Sequence, residues 1–486
     1  MNKFKYKIFS TNDNHYLFDG VSLNIFNIDD KIYKNHEYLF SNIEKGNTTI
    51  ENELLEAYNN IKECIDSGAL KPKSDTKFEY WFDIKQYKEN FNTEVKHLLI
   101  GLTEKCNLRC KYCIYGGHYE NERTHNDIDI NFDILKQSID KFFKTSQRKN
   151  KVINLYGGEP FINFKGMKDI VEYINSIDSN VSIYITTNGT LLKGEVLNWL
   201  IENKNVNLFV SFAGTPLTHD KLRVFINNQP TYNIIRNNLL KLRELSEDTY
   251  IDRINFIFNL FSEFQLIELQ EYWETDELFK GVQRKPEITY IDCFDDDGYV
   301  KSLSEDILKT YDKSVDPLNE YINLIKKKNY DNLIVKNYDE KLLNIHRREL
   351  NNDKNIISGV CRPIVQKTFV DVNGNIHLCE NFICKDRFEN IENISLLSDC
   401  LNDVENLLDE YKKERIDTCD NCWANKLCRL CFKDTIDSTG KINNKHTLKS
   451  CKEERESLLE NLIEYCTVLE NGEDLLEHLD EYIIYE

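Results

Sequence analysis

Residues 97–113 read His97-Leu-Leu-Ile-Gly-Leu-Thr103-Glu-Lys-Cys106-Asn-Leu-Arg-Cys110-Lys-Tyr-Cys113. The first seven form an apolar, strand-like run, and three cysteines follow at once. Downstream, KVINLYG (151–157), SIYITTNG (182–189), NLFVSFAG (207–214), RINFIFNLF (253–261) and PEITYID (286–292) repeat the strand signal. Helical patterns separate them: ILKQSIDKFFK, MKDIVEYIN, VLNWLIEN, IIRNNLLKLREL and FQLIELQEYW. Such alternation implies a parallel sheet, open or curled into a partial barrel. Six strand–helix units are too few to close an eight-stranded barrel.

Working outward, the first ~90 residues read as a separate small module. FKYKIFS, HYLFDG and VSLNIFNI are short strand candidates with turn signals at Asn12–Asn14 and Asp19–Gly20. Two helical patterns follow. The second runs from Ile50 to about Ser67, with Leu54, Leu55, Tyr58, Ile61 and Ile65 on one face, and Asp66-Ser67-Gly68 ends it. Strands followed by helices suggest a winged-helix-like unit, the alternative being a plain extension packed on the main domain. Residues 301–358 are helical and carry no motif. Residues 359–455 are rich in cysteine, and 456–486 read as an acidic C-terminal helix.

The 486 residues are 41% hydrophobic and 30% charged, which is ordinary for a globular chain and excludes wholesale disorder. The charge sum, 62 − 82 = −20, disfavours a nucleic-acid binder. No apolar run approaches the ~18 residues of a membrane span, and the N-terminus lacks the apolar core of a secretion signal. The expected compartment is the cytoplasm. Fifteen cysteines, an odd number in such a chain, argue against a disulfide framework. They bunch as Cys106, Cys110, Cys113 and as Cys419, Cys422, Cys428, Cys431, a placement that points to metal.

A cubane iron–sulfur cluster takes four thiolates when closed. Three leave one iron open, and open metal positions are where substrates react. The alternative is structural zinc, with His118 completing a Cys3His site. Zinc accounts neither for the strand placement nor for the motifs that follow. These are Gly157-Gly158-Glu159-Pro160 after the second strand, Thr187-Asn188-Gly189 after the third, Ser211 at the end of the fourth, and His219-Asp220-x2-Arg223 beyond it. Each lies at the C-terminal end of a strand, where α/β folds place ligands.

Taken with Cys-x3-Cys-x2-Cys, these motifs resemble the radical S-adenosylmethionine (SAM) enzymes. The resemblance implies that Cys106, Cys110 and Cys113 hold a [4Fe-4S] cluster whose open iron is chelated by SAM. It implies that Gly157 and Gly158 let the backbone approach the methionine part, and that Glu159 accepts from its ammonium. Arg223 would pair with the carboxylate and Ser211 with the ribose, with Tyr112 near the adenine and Asn188 also at the cofactor. In the family one electron cleaves SAM, and the resulting 5′-deoxyadenosyl radical abstracts a substrate hydrogen. Ala213 departs from the family pattern, which commonly has aspartate there.

Further on, Cys361, Gly374-x4-Cys379, Cys419-x2-Cys422-x5-Cys428-x2-Cys431 and Cys451 closely resemble the SPASM extension of peptide-modifying relatives. Cys428 and Cys431 are one residue closer than usual. A pair of zinc ribbons is the alternative. By resemblance, Cys361, Cys379 and Cys431 hold an inner auxiliary [4Fe-4S] cluster, and Cys419, Cys422, Cys428 and Cys451 an outer one. Cys384 or Cys293 could complete the inner set, or its iron could stay open. Cys64, Cys400 and Cys466 read as buried small apolar residues.

The expected architecture is therefore α/β: a partial (β/α)6 TIM-like barrel at 93–300, an N-terminal winged-helix-like leader-recognition domain at 1–92, and a cysteine-rich SPASM domain at 359–455, joined by a helical bridge at 301–358. The first module resembles the PqqD-like elements that bind a leader peptide by strand addition. The implied activity is that of a radical SAM/SPASM maturase, ranthipeptide- or sactipeptide-like. It would join a cysteine sulfur to carbon, or two carbons, in a ribosomally made precursor peptide. The cofactors are SAM and three [4Fe-4S] clusters. The partners are the precursor peptide and an electron donor such as ferredoxin or flavodoxin, with no nucleic acid and no membrane. An anaerobic sulfatase-maturating, formylglycine-forming enzyme is the alternative within the class, and a zinc-stapled non-catalytic binding protein is the alternative outside it.

Overall fold

The computed structural model describes residues 3–73, 78–80, 82–91, 93–119, 123–291, 293, 298–312, 314–348, 356–357, 361–381, 388–437 and 441–482. Three antiparallel strands, β1 (Tyr6–Ser10), β2 (His15–Asp19) and β3 (Ile25–Ile28), form a sheet in that order. The turn after β2 is fixed by the buried Asp19 carboxylate, which accepts from Val21 N, Ser22 N, Ser22 Oγ and Lys71 N at 2.6–3.1 Å. Two helices, Asp30–Lys45 and Leu55–Asp66, cover one face. The first is capped by Asp29, which accepts from Ile32 N at 2.8 Å, and by Gly46 at φ 70°. Phe4, Leu17, Ile32, Leu39, Phe40, Tyr58 and Ile61 make a core of their own there. Leu55, expected on the apolar face, is instead 42% exposed. A 3-10 turn at Asn52–Leu54 precedes the helix, so Leu55 is its first residue and lies outside the packed stripe.

The other face of this sheet docks on the C-terminal half. Phe18 meets Trp423 edge-on at 5.9 Å, and Glu470 accepts from Thr11, Asn14 and Tyr16. A Cβ on Gly20 would lie 2.3 Å from the Trp423 carbonyl oxygen, so only glycine permits this approach. The linking segment carries β4 (Glu79–Tyr80), and Tyr87 Oη donates to the Pro363 carbonyl.

The main sheet holds β5 (His97–Thr103), β6 (Val152–Gly157), β7 (Ser182–Thr187), β8 (Val206–Phe212), β9 (Ile254–Leu260) and β10 (Glu287–Tyr290), all parallel and in sequence order. Helices return between them, as a parallel sheet requires. Side chains alternate along each strand. Ile153, Leu155, Ile183, Ile185, Leu208 and Val210 are fully buried. Asn154, Tyr156, Thr186, Phe209 and Ser211, at the intervening positions, line a cavity on the concave face.

The sheet does not stop at six strands. β11 (Ile356–Ile357) pairs with β4 in a separate two-stranded sheet. β12 (Thr368–Val370) adds to β5 in parallel, with Phe369 opposite Leu99, and β13 (Ile376–His377) returns antiparallel. Sequence periodicity alone showed no strands in the cysteine-rich stretch, because these are only three and two residues long. Their turn is tied by Asp371, which accepts from Asn373 N and Asn375 N at 2.9 Å, with Gly374 at φ 83°.

Helices Tyr299–Leu308, Pro317–Lys326 and Leu333–His346 occupy the bridge. The last helix runs Asn444–Glu470, so it begins inside the expected cysteine-rich domain and carries Cys451. Lys341 joins the bridge to it through Glu464 at 2.7 Å and reaches Glu263 at 3.1 Å.

Candidate active site

The three-cysteine loop leaves the end of β5 and is held by main-chain bonds to the segment around Arg223. Arg109 N donates to Val224 O at 2.8 Å and Lys111 N to Leu222 O at 2.9 Å. This pairing sets Arg223 opposite the loop. Cys106, Cys110 and Cys113 all line a cavity of about 660 Å³ on the concave face, with Tyr112, Gly157, Gly158, Asn188, Ser211 and Arg223. Burial pushes the Cys106 and Cys113 thiols up to about 12, so they need a bound cation to become thiolates. Among the described residues no group of three His, Cys, Asp or Glu side chains is placed to hold a single metal ion. In a cubane each thiolate takes its own iron, so such ligands need not converge on one point.

Arg223 is 7% exposed. Its Nη1 donates to Tyr112 Oη at 2.8 Å, and its Nε has no partner. Burial opposes its charge, while thiolates at Cys110 and Cys106, once formed, and the bond to Tyr112 favour it. A buried cation with a spare donor beside three thiols fits the carboxylate of an amino-acid cofactor. The donor set therefore fits SAM and a four-iron cluster.

Asn188 links the end of β7 to the loop. Its Nδ2 donates to Asn107 Oδ1 at 2.9 Å, and its Oδ1 accepts from Thr190 N and Oγ1. Asn107 Nδ2 donates in turn to Thr190 Oγ1 at 2.8 Å. Glu159 is fully buried and does not line the cavity. Its carboxylate accepts from Thr187 Oγ1 and Asn188 N, both at 2.7 Å, and from Phe161 N at 3.2 Å. It thus locks the ends of β6 and β7 together. His219 and Asp220 also act within the fold. His219 Nε2 meets Thr231 Oγ1 at 3.0 Å, and Asp220 accepts from Thr231 N and Tyr232 N.

The two glycines have a reason beyond cofactor approach. A Cβ on Gly157, at φ 143°, would lie 2.3 Å from Thr103 O, and one on Gly158 would lie 2.2 Å from Lys105 O. β6 therefore packs directly on the root of the cysteine loop. Gly157→Ala is expected to lower stability by about 3 kcal/mol through backbone strain and overpacking. The urea midpoint of the purified variant measures it, and an unchanged midpoint would show that the loop root yields freely.

The C-terminal cysteines form two groups. Cys361, Cys379 and Cys431 lie within electrostatic reach of one another. Cys419 lies within such reach of Cys422, Cys428 and Cys451. Burial pushes the Cys361, Cys379 and Cys428 thiols up to about 12. Cys384 lies outside the described residues, and Cys293 follows β10 with its thiol donating to Ile291 O at 3.5 Å. Glu380, Asn381 and Lys433, neighbours of the first group, line the same cavity as the first loop. Arg123 clamps the two regions. Its guanidinium lies between the rings of Tyr115 (4.6 Å) and Phe369 (4.7 Å) and donates to Glu380 O at 2.9 Å.

Sequence reasoning missed Asn107, Asn154, Asn259 and Arg123. Asn154 and Asn259 had a signal, since each is a polar residue at one parity of an otherwise apolar strand. Asn107 occupies an unconstrained place in the cysteine motif. Arg123 acts through contacts that only the tertiary fold creates.

Residues 100–260 match the Radical SAM superfamily. GTP 3′,8-cyclase of Clostridium perfringens (strain SM101 / Type A) is 30% identical over 206 residues, covering 40% of this chain and 61% of that protein. Radical SAM cyclopropyl synthase TigE of Paramaledivibacter caminithermalis is 23% identical over 222 residues, covering 37% and 46%. The chain thus spans less than two thirds of the length of these relatives. Among solved structures, anSMEcpe with bound AdoMet shares the fold at a TM-score of 0.51 and 17% identity, over 79% of this chain and 98% of that one. No helix among the described residues is long and apolar enough to cross a membrane.

Proposed function

We propose that the protein is a radical SAM enzyme that modifies a ribosomally made peptide, forming a thioether or carbon–carbon cross-link with the help of two auxiliary clusters. One observation carries the reading: Glu380, Asn381 and Lys433, beside Cys379 and Cys431, line the same cavity as Cys106, Cys110 and Cys113. A redox centre held by Cys361, Cys379 and Cys431 would sit next to the substrate and could accept the electron released when a bond forms. Bound SAM and its cluster supply hydrogen-atom abstraction. The chain's part is to fix the cofactor carboxylate on Arg223, hold the ribose at Ser211, keep the loop in register through Asn107 and Asn188, and exclude water.

Relatives named as GTP cyclases favour a second reading, nucleotide cyclisation. The charges around the cavity weigh against it. Arg223 and Lys433 are offset by Glu287 and Glu380, which suits a peptide better than a triphosphate. The N-terminal sheet supports the peptide reading. Among the described residues β3 is an edge strand paired with β2 alone, and an extended leader could add there. A reduced ferredoxin or flavodoxin would supply the electron.

The test is anaerobic incubation of the reduced protein with SAM and a candidate precursor, followed by mass spectrometry. The expected product lacks two hydrogens and consumes one SAM per link. A leaderless peptide should react at least about tenfold more slowly, as expected when a binding segment worth ~1.4 kcal/mol or more is removed. Conversion of GTP with no change in any peptide would overturn the reading.

A further inference from the structure

Arg415 lies on the helix Leu401–Asp420 and is 3% exposed. A buried guanidinium ordinarily faces a carboxylate. Among the described residues none lies within ion-pair distance of Arg415, and its hydrogen-bond partners are of another kind. Nη1 donates to Tyr411 Oη at 3.0 Å. Nη2 reaches Cys419 Sγ at 3.4 Å and Cys428 Sγ at 3.8 Å. Nε has no partner. The Tyr411 ring lies 5.1 Å from the guanidinium carbon and is itself fixed by a bond from its hydroxyl to Leu430 O at 3.3 Å. From the last helix, Cys451 and Glu454 lie within electrostatic reach of Arg415, and Arg455 donates to the Cys422 sulfur.

Neutral thiols are weak acceptors and cannot offset a buried cation. Thiolates around a metal centre can. The rigid clamp of Tyr411 aims the planar fork at two sulfurs that sit nine residues apart in sequence. Cys419 comes from one turn further along the same helix, and Cys428 from the loop that follows.

We propose that Arg415 is the charge-compensating, positioning residue of the four-thiol set Cys419, Cys422, Cys428 and Cys451. By donating to two ligand sulfurs, it raises the reduction potential of the iron–sulfur cluster held there. This rests on the reading of that set as a cluster site. A fixed positive charge in a low-dielectric pocket favours the state that carries one more electron, and N–H···S bonds act in the same direction. The Cys361, Cys379 and Cys431 group has Lys367 and Lys433 within electrostatic reach instead, so the Arg415 bonds act on the outer centre and set its potential separately from the inner one.

The test uses the full-length chain with Cys106, Cys110 and Cys113 replaced by alanine, so that only the C-terminal centres remain. Iron content and an anaerobic redox titration followed by electron paramagnetic resonance are measured for this parent, for Arg415→Gln and for Arg415→Lys. The parent should hold about eight irons and titrate as two one-electron couples. In Arg415→Gln one couple should move to more negative potential while the other stays. The expected size is about tenfold in the ratio of reduced to oxidised cluster at fixed ambient potential, or about 59 mV for one electron. Arg415→Lys, which keeps the charge, should remain nearer the parent. If Arg415→Gln fails to retain the outer iron and Arg415→Lys retains it, the charge is needed to hold the cluster, which also supports the proposal. Two unshifted couples in Arg415→Gln would overturn it. So would Arg415→Lys shifting as far as Arg415→Gln, or loss of iron from both variants, since shape rather than charge would then be at work. A parent that takes up zinc and no iron refutes the cluster reading itself, a separate and recognisable failure.

Discussion

Replacing Cys106, Cys110 and Cys113 together with alanine is expected to abolish reductive cleavage of SAM, by at least about a thousandfold, while the C-terminal iron stays bound. The loop does not depend on metal for its path. Its main chain is bonded to Leu222 and Val224, and Lys105 at its root is paired with Asp129 at 2.9 Å and Asp127 at 3.1 Å. Removing three thiols therefore takes away the cluster ligands without unravelling β5. Iron should fall from about twelve to about eight per chain, and the thermal midpoint should change little. 5′-Deoxyadenosine produced at the parent rate would contradict the assignment of this loop, whatever the peptide chemistry turned out to be.

Arg223→Gln is expected to weaken SAM binding by about 10–150-fold without loss of iron. A charge-assisted hydrogen bond from a buried guanidinium contributes ~1.5–3 kcal/mol. The guanidinium already donates to Tyr112 Oη, so part of any effect could arise from a displaced ring. Tyr112→Phe separates the two. It removes the hydroxyl, leaves the cation, and should cost less than about tenfold. Equilibrium dialysis of the iron-loaded protein against SAM measures both variants. Unchanged affinity in Arg223→Gln would remove that residue from the cofactor site, and the partnerless Nε would need another explanation.

Much of this site was legible because its chemistry is local. The spacing of Cys106, Cys110 and Cys113, and the arrival of Gly157-Gly158, Asn188 and Ser211 each at a strand end, follow from side-chain type and from the rule that parallel strands gather their C-terminal ends. The sequence did not reveal that Glu159 also ties the ends of β6 and β7 together, because a carboxylate's hydrogen bonds to a neighbouring strand leave no mark in one dimension. The β12–β13 hairpin was illegible because so few residues carry no period. Its position is set by β5 offering a free edge, a fact about pairing rather than composition. The two groupings of the C-terminal cysteines depend on how the helix Leu401–Asp420 and the last helix pack, which spacing alone leaves open.

The Arg123 clamp and the β5–β12 ladder have a consequence for how the chain can be handled. A short seam of main-chain bonds fastens the tail of the protein to the strand that leads into the three-cysteine loop. A chain cut after the sixth barrel strand would bare that flank of β5 and open one wall of the cavity. The two halves are therefore poor candidates for separate expression or for exchange with a relative's half, and truncation is expected to yield insoluble material rather than a simpler enzyme.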